Sequence, residues 1–151
     1  MSSSPAIERL IGALTPGLDA LLVESEREGL RLVRRLVDEW TAGTNCFDRP
    51  GEALFAARIG ERVVGVCGLN IDPYAAAPGV GRMRHLYVLP AERRLGVGRQ
   101  LVGEVLDAAR GRFSCVRLRT ANPAAARLYE SLGFRPDAGQ PDCSHVLELT
   151  D

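Results

Sequence analysis

The sequence predicts one α/β domain built on a mixed sheet with helices packed against it. Three observations predict it. The 151 residues, 46% hydrophobic and 25% charged, make a globular chain with one ordinary core. Apolar residues recur with the strand period in some segments and the helix period in others. The order of these segments, two helices, three strands, then helix, strand, helix and strand, suits a mixed sheet covered by helices.

Near the start, "AIERLIGAL" fits a strand or part of a helix, and the pattern does not choose between them. Thr15 then reads as an N-cap with Pro16 at the first helical position. Leu18, Leu21, Leu22 and Ser25 form one face of that helix, and Gly29 ends it. Leu32, Val33, Leu36, Val37 and Trp40 mark a second helix. "TAGTNCFDRPG" is loop by composition. "EALFAARI" and "RVVGVCGLN" read as an antiparallel hairpin turning at Gly60 and Glu61. After the loop "NIDPYAAAPGVG" comes a strand, "RMRHLYVLP", stopped at Pro90. A helix follows on Val97, Leu101, Val102, Val105 and Leu106. "FSCVRLRT" is a strand. "ANPAAARLYESLGF" is a helix capped by Asn122, with Pro123 at its first position and Gly133 closing it. "SHVLEL" is the last strand.

Nineteen basic residues, all arginine, balance nineteen acidic ones, which argues against a general nucleic-acid binder. Cys46, Cys67, Cys115 and Cys143 are far apart, with no CxxC pairing, so reduced thiols are expected and a metal site is not. The N-terminal residues have no signal-peptide pattern, and no apolar run reaches membrane-spanning length. A cytoplasmic protein is expected.

The chemistry concentrates at "LPAERRLGVGRQLV", Leu89 to Val102. A strand running through glycines into a helix leaves free N–H groups at the positive end of the helix dipole, a natural seat for a phosphate. Arg93, Arg94 and Arg99 would add charge-assisted hydrogen bonds; a glycine turn with solvated arginines is the alternative. A P-loop is excluded because the chain has no lysine, and the dinucleotide fingerprint lacks its third glycine, Leu101 following Gly96 and Gly98.

What remains, Arg93-x-x-Gly96-x-Gly98 after "LYVLP", resembles the coenzyme A signature of the GNAT superfamily of acyl-CoA-dependent N-acyltransferases. "RTANPAAARLYESLGF" is similar to that family's downstream motif through Asn122, Ala125, Tyr129, Gly133 and Phe134. The resemblance is strongest from Arg82 to Arg135. It implies a GNAT-like fold over residues 1–151: a mostly antiparallel central sheet, splayed at the cofactor site, with helices on both faces. It implies acetyl-CoA as co-substrate, its pantetheine arm on Leu86, Tyr87 and Val88. The pyrophosphate would lie on the amides of Arg94, Leu95, Gly96, Val97, Gly98 and Arg99, with Arg93, Asn122, Ala125 and Tyr129 completing the site. It also implies that Tyr129 protonates the departing thiolate. A core-edge tyrosine is the alternative, Asn122 and Tyr129 lying about two turns apart on one side of the helix. The activity implied is acetyl transfer to a small-molecule or peptide amine by direct attack, in a monomer or homodimer. An acyl-CoA-binding regulatory domain without turnover is the alternative.

Many members of that family carry a glutamate or histidine on the strand before the glycine loop. Those positions fall on Arg82 and Arg84, and an arginine is no base. His85 alternates to the opposite face and reads as a packed histidine. Arg82 and Arg84 could instead favour an acceptor bearing a carboxylate or phosphate, or form structural ion pairs with Glu52, Asp72 or Glu130. The loops on either side of the hairpin lie at one end of the sheet, so Asp48, Arg49, Asn70, Asp72 and Tyr74 are candidate acceptor contacts.

Overall fold

Strand alternation sets the hairpin at the centre of the molecule. In the computed structural model, which describes residues 4–149, β2 (Ala53–Ile59) and β3 (Arg62–Ile71) pair antiparallel through the turn at Gly60. Before them come β1 (Ala6–Arg9), α1 (Leu18–Arg27) and α2 (Leu32–Ala42). After them come β4 (Val80–Val88), a 3-10 turn (Pro90–Glu92), α3 (Val97–Ala109), β5 (Cys115–Leu118), α4 (Pro123–Ser131), β6 (Arg135–Pro136) and β7 (His145–Glu148). The seven strands form one sheet in the order β1-β2-β3-β4-β5-β7-β6. Every pairing is antiparallel except β4 with β5.

Helices cover both faces. Val97, Leu101, Val102 and Val105 of α3 bury against Cys67, Leu69 and Met83, with Tyr129 of α4 in the same cluster. On the other face Leu18 and Leu21 of α1 and Val33 and Leu36 of α2 pack on Leu54, Val66 and Tyr87.

The ambiguous first segment is a short edge strand. Thr15 is not the N-cap: α1 starts at Leu18 behind Gly17, whose φ of 95° only glycine holds easily. The Thr15 hydroxyl instead accepts from Arg58 on β2. Asn122 does cap its helix, its Oδ1 accepting from the amides of Ala124 and Ala125 at 2.9 and 3.2 Å. β4 begins two residues earlier than "RMRHLYVLP", at Val80, and stops at Val88, leaving Pro90 to the 3-10 turn. β6 went unforeseen, because two residues carry no period. All four cysteines are free thiols, three of them buried. Among the described residues no helix is long and apolar enough to cross a membrane.

Candidate active site

The one parallel pairing is short. β4 and β5 pair only at Val80–Cys115, Gly81–Val116 and Arg82–Arg117. Beyond Arg82 the two strands part, so β4 keeps its β3 partner on one side and opens on the other. The Leu89 N–H donates to Val64 of β3 at 2.9 Å. Because a peptide unit is planar and trans, the Val88 carbonyl points the opposite way, into the opening. Leu86, Tyr87 and Val88 therefore run along a parted edge.

Just past that point β4 carries a bulge. Val66 pairs with Tyr87 and Gly68 with Arg84, so Cys67 faces two residues, His85 and Leu86. His85 absorbs the extra residue with a φ of 62°. This overturns the strict alternation expected of β4. His85 does not cross to the face opposite Arg84; it packs edge-on against Phe47, in the α1–α2 cluster, with ring centroids 6.2 Å apart. Phe47 in turn covers Gly68, where an added Cβ would lie 2.5 Å from its ring.

His85 is buried, and burial, with Arg84 and Arg35 nearby, lowers its pKa to about 3. It is neutral at working pH and is no base of ordinary strength. Unfolding restores a pKa near 6.5, so the unfolded chain binds the extra proton. Stability then rises with pH between about 3 and 6.5, by up to ~1.4 kcal/mol per pH unit, and is flat above. Urea unfolding should therefore show wild type losing stability faster than His85→Gln as pH falls from 7 to 5. Equal slopes would place a charged histidine in the native state. The pH profile of kcat/KM should keep its ionisations in the same variant.

At the glycine loop Gly96 caps α3 with a φ of 79° and empty space where a Cβ would stand. The first helical hydrogen bond is Gln100 N–H to Gly96 C=O, 3.0 Å. The amides of Val97, Gly98 and Arg99 precede it and have no acceptor within the helix. Arg94 and Leu95 are exposed beside them. Arg99 donates to the Ser131 hydroxyl of α4 at 3.0 Å. Arg93 is otherwise engaged: its Nε donates to the Val88 carbonyl at 2.9 Å and its Nη2 to Glu28 at 2.6 Å. The Tyr87 hydroxyl donates to the same Glu28 oxygen at 2.5 Å. The motif arginine thus ties the loop to the end of α1.

Tyr129 lies on the α3–α4 side of the opening, buried and edge-on to Phe134 at 5.7 Å. Burial, then the nearby Cys67, raise its pKa, and no hydrogen bond offsets this. Its phenol stays protonated. Cys67, opposite the bulge, is wholly buried and its pKa is pushed up to about 12, so it is no ready nucleophile.

The opposite face is polar. Glu52 is fully buried, yet Arg49 (2.8 Å), Asn70 (2.9 Å) and the Ile71 amide (2.9 Å) satisfy its carboxylate. Burial alone would raise its pKa; these donors hold it below the ordinary value. Asn45 and Asn70 exchange amide hydrogen bonds at 2.9 Å, joining the loops on either side of the hairpin as expected. Arg82 stacks over Tyr74, 4.8 Å from its ring centre, and stands 3.9 Å from buried Asp72. Arg117 approaches the same carboxylate at 4.0 Å. Arg84 lies 3.9 Å from Glu39 of α2. Of the three acids considered for Arg82 and Arg84, only Asp72 pairs; Glu52 takes Arg49, and Glu130 takes His145 at 2.8 Å. Asp48 is exposed and lies outside the pocket at this face. Glu39 was missed because nothing local links a helical glutamate to a strand some forty residues on.

A seven-stranded sheet, parted between its fourth and fifth strands beside a glycine-capped helix, sets the context for comparison with known proteins. The sequence profile of the Acetyltransferase (GNAT) family matches residues 17–134. The chain belongs to the GNAT family. Members of the GNAT family use acetyl-CoA as co-substrate. The N-alpha-acetyltransferase RimI of Mycobacterium tuberculosis is 36% identical over 86 residues, which is 57% of this chain and 54% of RimI. The matched part thus spans about half the length of that relative. A crystal structure from Exiguobacterium sp. 255-15 is 28% identical over 96% of this chain and 93% of that one, with a TM-score of 0.85. The GNAT-family N-acetyltransferase YhbS of Escherichia coli, solved in complex with CoA, shares the fold at a TM-score of 0.70 and 23% identity, covering all of this chain and 84% of that one.

Proposed function

We propose that the chain, as one domain over residues 1–151, is an acetyl-CoA-dependent N-acetyltransferase that acetylates a primary amine by direct attack in a ternary complex. One observation carries this: β4 parts from β5 just beyond Arg82, between Tyr129 on one face and a polar pocket on the other. When bound, acetyl-CoA supplies an acyl group already activated as a thioester.

The chain's own residues divide the work. The edge at Leu86, Tyr87 and Val88 can receive an amide-bearing arm as a strand would. The amides of Val97, Gly98 and Arg99 face phosphate, Gly96 allows close approach, and exposed Arg94 adds charge. Asn122 holds the first turn of α4 so that Ala125 and Tyr129 line the same side. The neutral amine attacks the thioester carbon and the C–S bond breaks; Tyr129 donates its hydroxyl proton to the departing sulfur, and the proton lost by the amine nitrogen passes through solvent to restore the phenol. On the other face the amine enters past Arg84, and Glu39 is the one carboxylate lining that pocket. Similarity to an N-alpha-acetyltransferase supports an α-amine as acceptor. Buried Cys67 supports direct attack, since no other thiol adjoins the bulge.

Initial velocities measured against both substrates test this. Intersecting double-reciprocal lines are expected; parallel lines would mean an acetylated enzyme and overturn direct attack.

A further inference from the structure

We infer that the acceptor is an amine that also carries a carboxylate, received by Arg84 at the mouth of the parted strands. This rests on the N-acetyltransferase reading and narrows its substrate class. The evidence is the unequal way the arginines of this face are satisfied. Arg49 and Arg93 hold their acids at 2.8 and 2.6 Å, the range of a good charge-assisted hydrogen bond. Arg82 stands no closer to its acid, 3.9 Å from Asp72 and without a hydrogen bond at Nη1, but it is nearly buried under Tyr74 and does not line the pocket at this face. Arg84 is different. Its Nη1 reaches Asn70 only at 3.5 Å and its Nη2 stops 3.9 Å from Glu39. Its fork is oriented but under-satisfied, and both it and Glu39 remain partly exposed.

These two side chains line a pocket of about 180 Å³ with Asn45, Arg49 and Asn70. A second recess of about 160 Å³ adjoins it through Glu39 and is lined by Arg31, Arg34, Arg35 and Asp38. The acids paired with α2 arginines serve Arg34, and Glu39 faces Arg84. Arg31 and Arg35 have no acid within ion-pair distance among the described residues, and of the two carboxylates lining these recesses Asp38 serves Arg34, so the face carries an excess of positive charge. His85 behind it adds no charge at working pH. Within the larger pocket an ammonium has one carboxylate, Glu39, and a carboxylate has Arg84, with the exposed Arg49 alongside. Arg84 is also the last regular residue of β4 before the bulge, so a group held there stands beside the opening that Tyr129 closes from the other face.

Two sources share this chemistry: a free amino acid, and a peptide whose first residue is acidic. Matched pairs separate them. The first pair is glycine and glycinamide; the second is a peptide beginning with Asp and the same peptide beginning with Asn. Rates are referred to the fraction of free amine. In at least one pair the carboxylate member should have the higher kcat/KM by about tenfold or more, as charge-assisted hydrogen bonds imply. The pair that shows it names the source. Ratios near one in both pairs, with transfer proceeding, would overturn this inference and leave the N-acetyltransferase reading standing. No transfer to any of the four, with transfer to a simple alkylamine, would overturn this inference alone; no transfer to the alkylamine either would overturn both. In Arg84→Gln the ratio should fall toward one through KM for the acceptor, while the Kd of acetyl-CoA holds. An unchanged ratio in that variant would overturn the placement at Arg84.

Discussion

Gly98→Asp is expected to weaken acetyl-CoA binding roughly a hundredfold or more while the protein stays folded. Gly98 lies in the first turn of α3 with a helical backbone, so no positive φ is lost. A Cβ there would meet the Leu128 side chain at 3.4 Å and Val88 at 3.8 Å, ordinary contacts. An acid in a first turn also suits the helix dipole. The damage falls on the ligand. The new carboxylate enters the space before the Val97, Gly98 and Arg99 amides, and two like charges ~4 Å apart repel by about 4 kcal/mol at an effective dielectric of 20. Titration calorimetry on the folded variant reads this directly. Unchanged affinity would remove coenzyme A from the head of α3.

Tyr129→Phe is expected to slow the chemical step by about 10²-fold and to leave acetyl-CoA affinity nearly unchanged. The ring and its edge contact with Phe134 survive the substitution. Only the hydroxyl is lost, and it acts chiefly as the sulfur gathers charge. General acids contribute ~10²–10⁴-fold. The lower end applies, because burial raises the Tyr129 pKa and makes the phenol a reluctant proton donor, while a thiolate with a conjugate-acid pKa of about 8.5 leaves fairly well unaided. Single-turnover rates separate chemistry from product release. Equal rates in the two proteins would make Tyr129 a packing residue.

The features legible in the sequence are those whose physics is local. Asn122 and Pro123 cap a helix within three residues of themselves, and the Gly96–Gly98 turn into α3 is fixed by its neighbours. The pairing of the loops around the hairpin followed from antiparallel geometry. What escaped depends on distant partners. Arg93 reads as a phosphate ligand until α1 brings Glu28, 65 residues away, to its guanidinium. Glu39 becomes a site residue only when α2 packs across β4. Alternation misplaced His85 because a bulge opposite Cys67 is set by strand pairing, and a histidine gives no sign that its φ will be positive. Thr15 resembles a cap, yet Gly17 turns the chain and Arg58 takes the hydroxyl.

The most direct measurement is the product balance of one reaction: thiol released from acetyl-CoA and N-acetylated amine formed, quantified together over time. An N-acetyltransferase that attacks directly across the parted strands gives one acetylated amine for each thiol, with no thiol released when amine is withheld. Thiol release that yields only acetate, or tight acetyl-CoA binding with no acetylated product from any amine, would contradict it.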